Sequence, residues 1–248
     1  MDMDLVFISI LGLIMGIVTS ISGGAGVFAI PTMLAFGIPP INALALNRFS
    51  DLGVVTGALR GYQKSKSIDW KLALLIMIPL GVGSFFGSSI VVMLPEEVLR
   101  NVILVGVMTG IFLLVQPVKP KKDKKSKGKA RTVLGYVLML LVGIWSGALA
   151  MAGATFAVLV LVHCFNKNFL EGRSTDIVAA IPETLIASIV LSLGATVSFY
   201  LLFTMLASSF VGAWIGSHIA VKHGNNFIRK SMIAIAIVMI IKVVLDFI

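Results

Sequence analysis

Long apolar stretches follow one another along this chain, and most are about as long as a helix needs to cross a bilayer. A spanning helix takes ~20 largely apolar residues. Hydrophobic residues make up 58% of the 248 positions and charged residues only 12%, whereas a soluble domain carries about 25% charged residues. The sequence therefore predicts an all-α polytopic membrane protein. The stretches are Leu5–Ile21, Val27–Ile38, Ile41–Leu59, Leu72–Leu94, Val98–Val115, Val133–Met151, Thr155–Phe165, Ile177–Ala195, Phe199–Val221 and Ser231–Ile248.

The net charge of +9 is distributed unevenly, since eight of the 20 Lys and Arg residues lie within positions 119–131. A nucleic-acid-binding protein spreads its basic residues over a folded face, so we predict no nucleic-acid partner. Basic segments that flank apolar stretches are typical of cytoplasmic loops. We therefore expect a multi-pass protein of the inner (plasma) membrane, in contact with lipid, with the linker 119–131 in the cytoplasm.

Two of the apolar stretches, 27–38 and 155–165, are too short to cross a membrane, and each follows a break of small residues. The breaks are Ser22–Gly26 and Ala152–Ala154. Irregular backbone at membrane depth must be covered by protein or line a cavity, and the N-terminus of the helix that follows is a natural anion site. The alternative is close helix packing through small residues. The binding interpretation selects Ser22, Gly23, Gly24, Gly26, Gly153 and Thr155.

Three sets of similar residues, called registers here, recur in the second half of the chain at offsets of 127, 125 and 129 residues. They indicate an internal duplication. We assign repeat 1 to residues 1–118, the linker to 119–131 and repeat 2 to 132–248. Because the partners keep their order along the chain, a shared origin explains them better than coincidence. The first register pairs Gly16 and Gly26 with Gly143 and Gly153, the second pairs Asn47–Asp51 with Gly172–Asp176, and the third pairs Gly83, Gly87 and Arg100 with Gly212, Gly216 and Arg229.

The direction of the repeats depends on whether each broken pair is a hairpin or a single crossing. With hairpins, each repeat is a broken-helix hairpin plus about three spanning helices, and repeat 2 is inverted relative to repeat 1. Lys167, Lys222 and Arg229 then fall on the cytoplasmic side, as the positive-inside rule favours. With single crossings they fall outside. Inverted repeats with broken helices are typical of secondary transporters.

Charged residues inside the apolar stretches mark the second part of the predicted site. Arg48 and Asp51, and likewise Arg173 and Asp176, are three residues apart and share a helix face. Intramembrane charges are costly and face a cavity or each other. The pairs are therefore either an anion site, in which each arginine donates to the solute, or a structural lock between helices. The anion-site interpretation adds the neighbouring donors Asn47 and Thr175.

Glu183 is a third intramembrane carboxyl group, and its partner in repeat 1 is Ala58. A carboxyl group within the membrane suits a proton carrier, although a hydrogen-bonded structural role is equally compatible with the sequence. The coupling candidates are Asp51, Asp176 and Glu183.

Several motifs resemble those of one family, the TauE/SafE membrane permeases, and the likeness covers nearly the whole chain. The resemblance implies import or export of sulfur-containing anions such as sulfite, thiosulfate or sulfonates. Repeat 2 departs from the pattern, with Ala152-Gly153-Ala154 where glycine clusters are usual. The motifs are Gly16-x-x-x-Ser20-x-x-Gly23-Gly24-x-Gly26, Pro31, Gly37-Ile38-Pro39-Pro40, Ser67-Ile68-Asp69-Trp70, Gly83-x-x-x-Gly87-Ser88 and Leu94-Pro95-Glu96-Glu97.

The sequence has no phosphate-binding loop, no His-Glu-x-x-His and no paired cysteines, so we predict no enzyme, no cofactor and no metal site. The expected function is secondary transport of a small anionic solute by alternating access, with proton coupling as a hypothesis. A passive anion channel and a membrane subunit of a larger complex are the alternatives. The substrate, the direction, the coupling ion and homo-oligomer formation stay open.

Overall fold

The computed structural model describes residues 2–115 and 128–246, and within them all regular structure is helical, as predicted. The last helix contains a kink at Gly224, where φ is +71°, and therefore consists of two helices joined there. The helices are α1 (Asp2–Ser22), α2 (Gly26–Ala35), α3 (Pro40–Lys64), α4 (Trp70–Val92), α5 (Glu96–Val115), α6 (Lys129–Leu149), α7 (Gly153–Cys164), α8 (Phe169–Gly194) and α9 (Phe199–Asp246).

Five helices in the described part of the chain are long and apolar enough to cross a bilayer. Their outward faces carry large apolar side chains, such as Ile78, which is 68% exposed. A contiguous apolar surface of this kind is covered by another apolar phase, and lipid provides one. The spans are Leu5–Ser22, Trp70–Val92, Ala130–Leu149, Phe169–Gly194 and Phe199–Ala234.

Each short helix runs back along the long helix that precedes it. Phe36, just after α2, packs on Phe7 near the start of α1, with ring centroids 4.5 Å apart. Phe165, just after α7, packs on Tyr136 near the start of α6 at 5.5 Å. Both broken pairs are therefore hairpins whose tips lie at the breaks.

Glycines let the long helices approach each other closely, as the paired glycines of the sequence predict. Helix α1 packs on the first part of α9, and α6 packs on α4. A Cβ atom on Gly16 would overlap the Ser209 carbonyl oxygen, and one on Gly83 would overlap the Leu140 carbonyl oxygen. Each hairpin of one half therefore packs on a spanning helix of the other half.

Helices α3 and α8 lie in the middle of the molecule and run antiparallel. At one end the Asn42 amide donates to the Thr196 hydroxyl over 3.1 Å. At the other end Ser67 donates to the Ser174 hydroxyl over 3.0 Å. Helices α3 and α8 carry the two Arg-x-x-Asp motifs that the sequence analysis paired, and the inversion of the repeats stays a prediction.

The basic residues near the end of α3 share their side of the molecule with the α7–α8 connection. Lys167 pairs with Asp69, with 2.7 Å between Nζ and Oδ2. Arg131, in the first turn of α6, donates to the His163 carbonyl oxygen. Basic groups from both halves are thus collected at one end, as the hairpin topology requires.

Several helices extend beyond their apolar stretches, and two differences from the sequence prediction bear on the site. Helix α7 begins at Gly153, so the second break covers residues 150–152 and the predicted break at Ala152–Ala154 is wrong by two residues. Helix α8 begins at Phe169, eight residues before its apolar stretch, because Asn168 and Glu171 form a capping box there. Residues 116–127 of the linker region lie outside the described part, and Lys129–Arg131 belong to α6.

Candidate functional site

The tips of the two hairpins meet in the middle of the protein. The Thr155 hydroxyl, in the first turn of α7, donates to the Ser22 carbonyl oxygen over 3.2 Å. Gly23 lies against Thr155, and a Cβ atom on Gly26 would overlap the Ala150 carbonyl oxygen. Only glycine allows the backbones to come this close, which explains the small residues at both breaks.

The breaks leave two helix N-termini without a side-chain cap. Ala25 precedes α2 and Ala152 precedes α7, and neither position provides a capping hydrogen bond. The first N–H groups of a helix have no partner within the helix. In α2, Val27 and Phe28 already donate to the Gly24 and Ala25 carbonyl oxygens, so the donors at the space between the tips come mainly from the first turn of α7. Both helices direct the positive end of their dipole toward this space.

That space is a cavity of about 40 Å³, room for a few water molecules. Both breaks, both arginines and all three intramembrane carboxyl groups contribute to its wall. The lining residues are Thr19, Gly24, Ala25, Gly26, Arg48, Asp51, Val54, Val55, Ser146, Ala150, Met151, Ala152, Gly153, Ala154, Arg173, Asp176, Ala180, Glu183 and Thr184.

Arg173 holds the end of α1 in place. Its Nε donates to the Ser20 carbonyl oxygen over 3.2 Å and its Nη2 to that of Thr19 over 2.6 Å. Its Nη1 pairs with Asp176. The Ser20 carbonyl oxygen also accepts from the Tyr62 hydroxyl, and that of Thr19 also accepts from the Gly23 N–H. Arg173 adds charged donors to the broken end of α1 and is almost fully buried there.

Arg48 makes fewer contacts, although it is equally buried. Its Nη2 donates to the Ser146 hydroxyl over 2.9 Å and its Nη1 to Asp51 over 3.2 Å. The Nε atom is buried and has no hydrogen-bond partner. The end of α6 is closed instead by Asn47, whose amide donates to the Ala150 carbonyl oxygen. Arg48 therefore keeps an uncommitted donor at the cavity.

Glu183 lies opposite Arg48, with 3.6 Å between Oε1 and the Arg48 Nη1. The Ser146 hydroxyl donates to the same carboxyl oxygen. The cavity thus gathers two guanidinium groups and three carboxyl groups within the membrane-spanning part. Among residues 2–115 and 128–246, no three His, Cys, Asp or Glu side chains are placed to hold a metal ion.

The structure brings together most of the residues that the sequence selected. Gly24, Gly26, Gly153, both arginines, both aspartates and Glu183 line the cavity. Ser22, Gly23, Asn47 and Thr155 lie directly behind the lining, in contacts between the two breaks. Thr175 is placed elsewhere, since its hydroxyl accepts from the Asp69 N–H over 3.1 Å at the basic end of the protein.

The sequence interpretation missed Ser146 and Thr19, which both line the cavity. Ser146 joins Arg48 to Glu183, and the buried Thr19 hydroxyl has no hydrogen-bond partner. The two residues are 127 positions apart, the spacing of the first repeat register. A polar residue at matching positions near the end of each broken helix was the signal that identifies them.

The chain is similar to known membrane transporters over nearly its whole length. It is 26% identical to the Escherichia coli K12 protein described as "Probable membrane transporter protein YfcA" over 236 residues, 93% of this chain and 86% of that protein. It is 22% identical to a Haemophilus influenzae "Probable membrane transporter protein" over 250 residues, 99% of this chain and 98% of that one. No solved structure matches it. The model of the family described as "Sulfite exporter TauE/SafE" matches residues 8–243, and the chain, a multi-pass membrane transporter, therefore belongs to the TauE/SafE family.

Proposed function

We propose that this protein is a secondary transporter that moves a small sulfur-containing anion, such as sulfite, thiosulfate or a sulfonate, across the inner membrane. The observation that carries the proposal is the cavity between the hairpin tips. The uncapped N-termini of α2 and α7 and the side chain of Arg48 line it, and the Arg48 Nε has no hydrogen-bond partner. Backbone N–H groups at helix ends and a guanidinium group are the donors that bind oxyanions best.

The size of the cavity supports a small solute. A volume of about 40 Å³ suits a compact anion only after slight widening, and it leaves no room for a large apolar group. Sulfite and thiosulfate are compact and carry their charge on oxygen or sulfur atoms that accept several hydrogen bonds. The family is named for sulfite export, while the names of the relatives specify no solute.

Alternating access is supported by the contacts at the two ends of α3 and α8. Asn42 and Thr196 join the halves on one side of the cavity. On the other side, Ser67 contacts Ser174 and Asp69 pairs with Lys167. Opening one set while the other stays closed would expose the cavity to one side of the membrane at a time. We place the basic end, with the linker 119–131, in the cytoplasm and include proton coupling through the cavity carboxyl groups in the proposal.

Flux measurements in proteoliposomes test the proposal. We expect saturable uptake of radiolabelled thiosulfate and faster uptake into vesicles preloaded with unlabelled thiosulfate. Arg48→Gln should reduce this uptake by about tenfold to a hundredfold, the cost of a lost charge-assisted contact. Arg60→Gln, an exposed arginine on the same helix, is the matched control and should leave uptake unchanged.

The same measurement separates the alternatives. Flux that does not saturate and shows no counterflow would identify a passive channel. Absence of flux for sulfite, thiosulfate and methanesulfonate alike would contradict the choice of solute class. Arg48→Lys, which keeps the charge, provides a second variant if Arg48→Gln does not fold.

A further inference from the structure

Among the three carboxyl groups of the cavity, Glu183 has no arginine three residues away on its own helix. Asp51 pairs with Arg48 and Asp176 pairs with Arg173, each three residues away on its own helix. Building on the proposed function, we infer that Glu183 is the proton-binding site of the transporter. In this inference one proton on Glu183 and one anion on Arg48 bind together and are released together.

The first step concerns charge. With every group ionised, three carboxylates face two guanidinium groups, so the empty cavity is already negative. An incoming anion would add a further negative charge among buried groups, where repulsion is stronger than in water. Protonation of one carboxyl group removes this excess. The cavity therefore accepts an anion favourably only when one of its three carboxyl groups is neutral.

The second step identifies which carboxyl group takes the proton. Asp176 receives a direct ion pair from Arg173, and Asp51 receives one from Arg48 at 3.2 Å. Glu183 is the more distant acceptor, 3.6 Å from the Arg48 Nη1. Protonating Glu183 leaves both ion pairs intact, whereas protonating either aspartate leaves its arginine with a weaker partner or none.

The surroundings of Glu183 allow both protonation states. The Ser146 hydroxyl donates to the ionised carboxylate and can accept from the protonated one, because a hydroxyl group is both donor and acceptor. The other charged side chains near Glu183 are Arg48 and Asp51 from α3, and Arg173 and Asp176 from its own helix. Helix α4 contributes only the Ser84 hydroxyl, bonded to the Glu183 backbone carbonyl oxygen.

The third step places the anion on Arg48 and not on Arg173. Every nitrogen of the Arg173 guanidinium already donates to a protein acceptor. Arg48 has an unpaired Nε, while its Nη1 stays paired with Asp51. Nε and Nη2 lie on one edge of a guanidinium group and can bind an oxyanion in a bidentate manner. Ser146 accepts from Nη2 and donates to Glu183, so the proton site and the anion site are linked through Ser146 as well as through charge.

Binding of thiosulfate or methanesulfonate to the purified protein tests the inference, since neither probe changes its own charge near neutral pH. Where Glu183 is ionised in the empty protein, the apparent Kd should rise about tenfold per pH unit, because binding then requires uptake of one proton. Glu183→Gln should bind with a Kd that is independent of pH. Glu171→Gln, in the first turn of the same helix and outside the cavity lining, is the matched control and should keep the wild-type dependence.

Proton uptake provides a second readout that needs no variant. When thiosulfate is added in weak buffer, the wild-type protein should take up close to one proton per anion bound.

Transport in proteoliposomes provides a third readout. Glu183→Gln should still exchange anion for anion but should no longer accumulate the anion in response to a pH gradient.

The outcomes distinguish this inference from the function on which it rests. If the wild-type protein binds neither probe at any pH, the proposed anion site itself is wrong. If it binds them without proton uptake, or if Glu183→Gln keeps the wild-type pH dependence, the anion site stands and the role of Glu183 is overturned.

Discussion

Arg48 and Arg173 stand at matching positions of the two halves, yet the fold uses them differently. Arg173 donates from all of its nitrogens, twice to the last carbonyl groups of α1 and once to Asp176. Arg48 touches no backbone carbonyl of a broken helix and leaves its Nε unpaired. Arg173 thus stabilises the end of a broken helix, whereas Arg48 keeps a hydrogen-bond donor available.

The residue that precedes each arginine explains the difference. Asn47 donates to the Ala150 carbonyl oxygen and so closes the end of α6 without the help of Arg48. Its counterpart Gly172 has no side chain, and the end of α1 is instead contacted by Arg173 together with Tyr62. Of the two roles that the sequence left open for both arginines, the contacts of Arg173 are those of a structural lock, and we propose the anion site for Arg48 alone.

The largest expected effect is on stability, and it separates the two arginines directly. Arg173→Lys keeps the charge but loses the planar set of donors that reaches two carbonyl groups and a carboxylate together. The Ser20 and Thr19 carbonyl oxygens keep the Tyr62 hydroxyl and the Gly23 N–H as partners, but the loss of two buried hydrogen bonds from a charged donor should lower the free energy of unfolding by about 3 kcal/mol. Arg48→Lys should cost about 1 kcal/mol, since it removes one hydrogen bond to Ser146. Titration with a denaturing detergent, followed by circular dichroism, measures both.

Transport by the same two variants provides the control. Folded Arg173→Lys should retain thiosulfate uptake in proportion to the amount of folded protein, whereas Arg48→Lys should lose uptake while remaining folded. Equal losses of stability, or equal losses of uptake per folded molecule, would contradict the division of roles.

A smaller effect should follow from removing Asn47, the residue that frees Arg48. Asn47→Ala leaves the Ala150 carbonyl oxygen without its partner and should lower the free energy of unfolding by about 1 kcal/mol. The guanidinium group of Arg48 then becomes the nearest replacement donor, so the affinity for thiosulfate should fall as well. Isothermal titration calorimetry checks the affinity. An unchanged affinity would show that Asn47 does not control the availability of Arg48.

Much of this arrangement could be predicted from the sequence, because it depends on spacing along the chain. Apolar stretches predict the helices, small residues predict the breaks, and the i, i+3 spacing predicts that Arg48 pairs with Asp51 and Arg173 with Asp176. The family membership also agrees with the resemblance of the glycine motifs. These features are local, so neighbouring residues are sufficient to specify them.

The rest depends on contacts between distant parts of the chain, which no local pattern encodes. Ser146 reaches Arg48 from 98 positions away, and Arg173 reaches the carbonyl groups of α1 from 153 and 154 positions away. Thr175 is a buried polar residue like its predicted partners. Its hydroxyl, however, accepts from the Asp69 N–H at the basic end of the protein. The docking of α3 on α8 decides these partners.

The smallest expected effect concerns the backbone of the two breaks. The first break turns at Gly23 and Gly24, with φ of +73° and +79°, while the second turns at Ala150 and Ala152, with φ of +53° and +56°. A left-handed alanine costs about 1 kcal/mol, but replacing it by glycine adds about 0.5–1 kcal/mol of conformational entropy to the unfolded chain. Ala150→Gly should therefore change the free energy of unfolding by less than about 0.5 kcal/mol, measured by the same detergent titration. A loss of unfolding free energy well above that value would show that the Ala150 methyl group packs at the hairpin tip. The second break would then differ from the first in side-chain packing as well as in its lack of glycine at the turn.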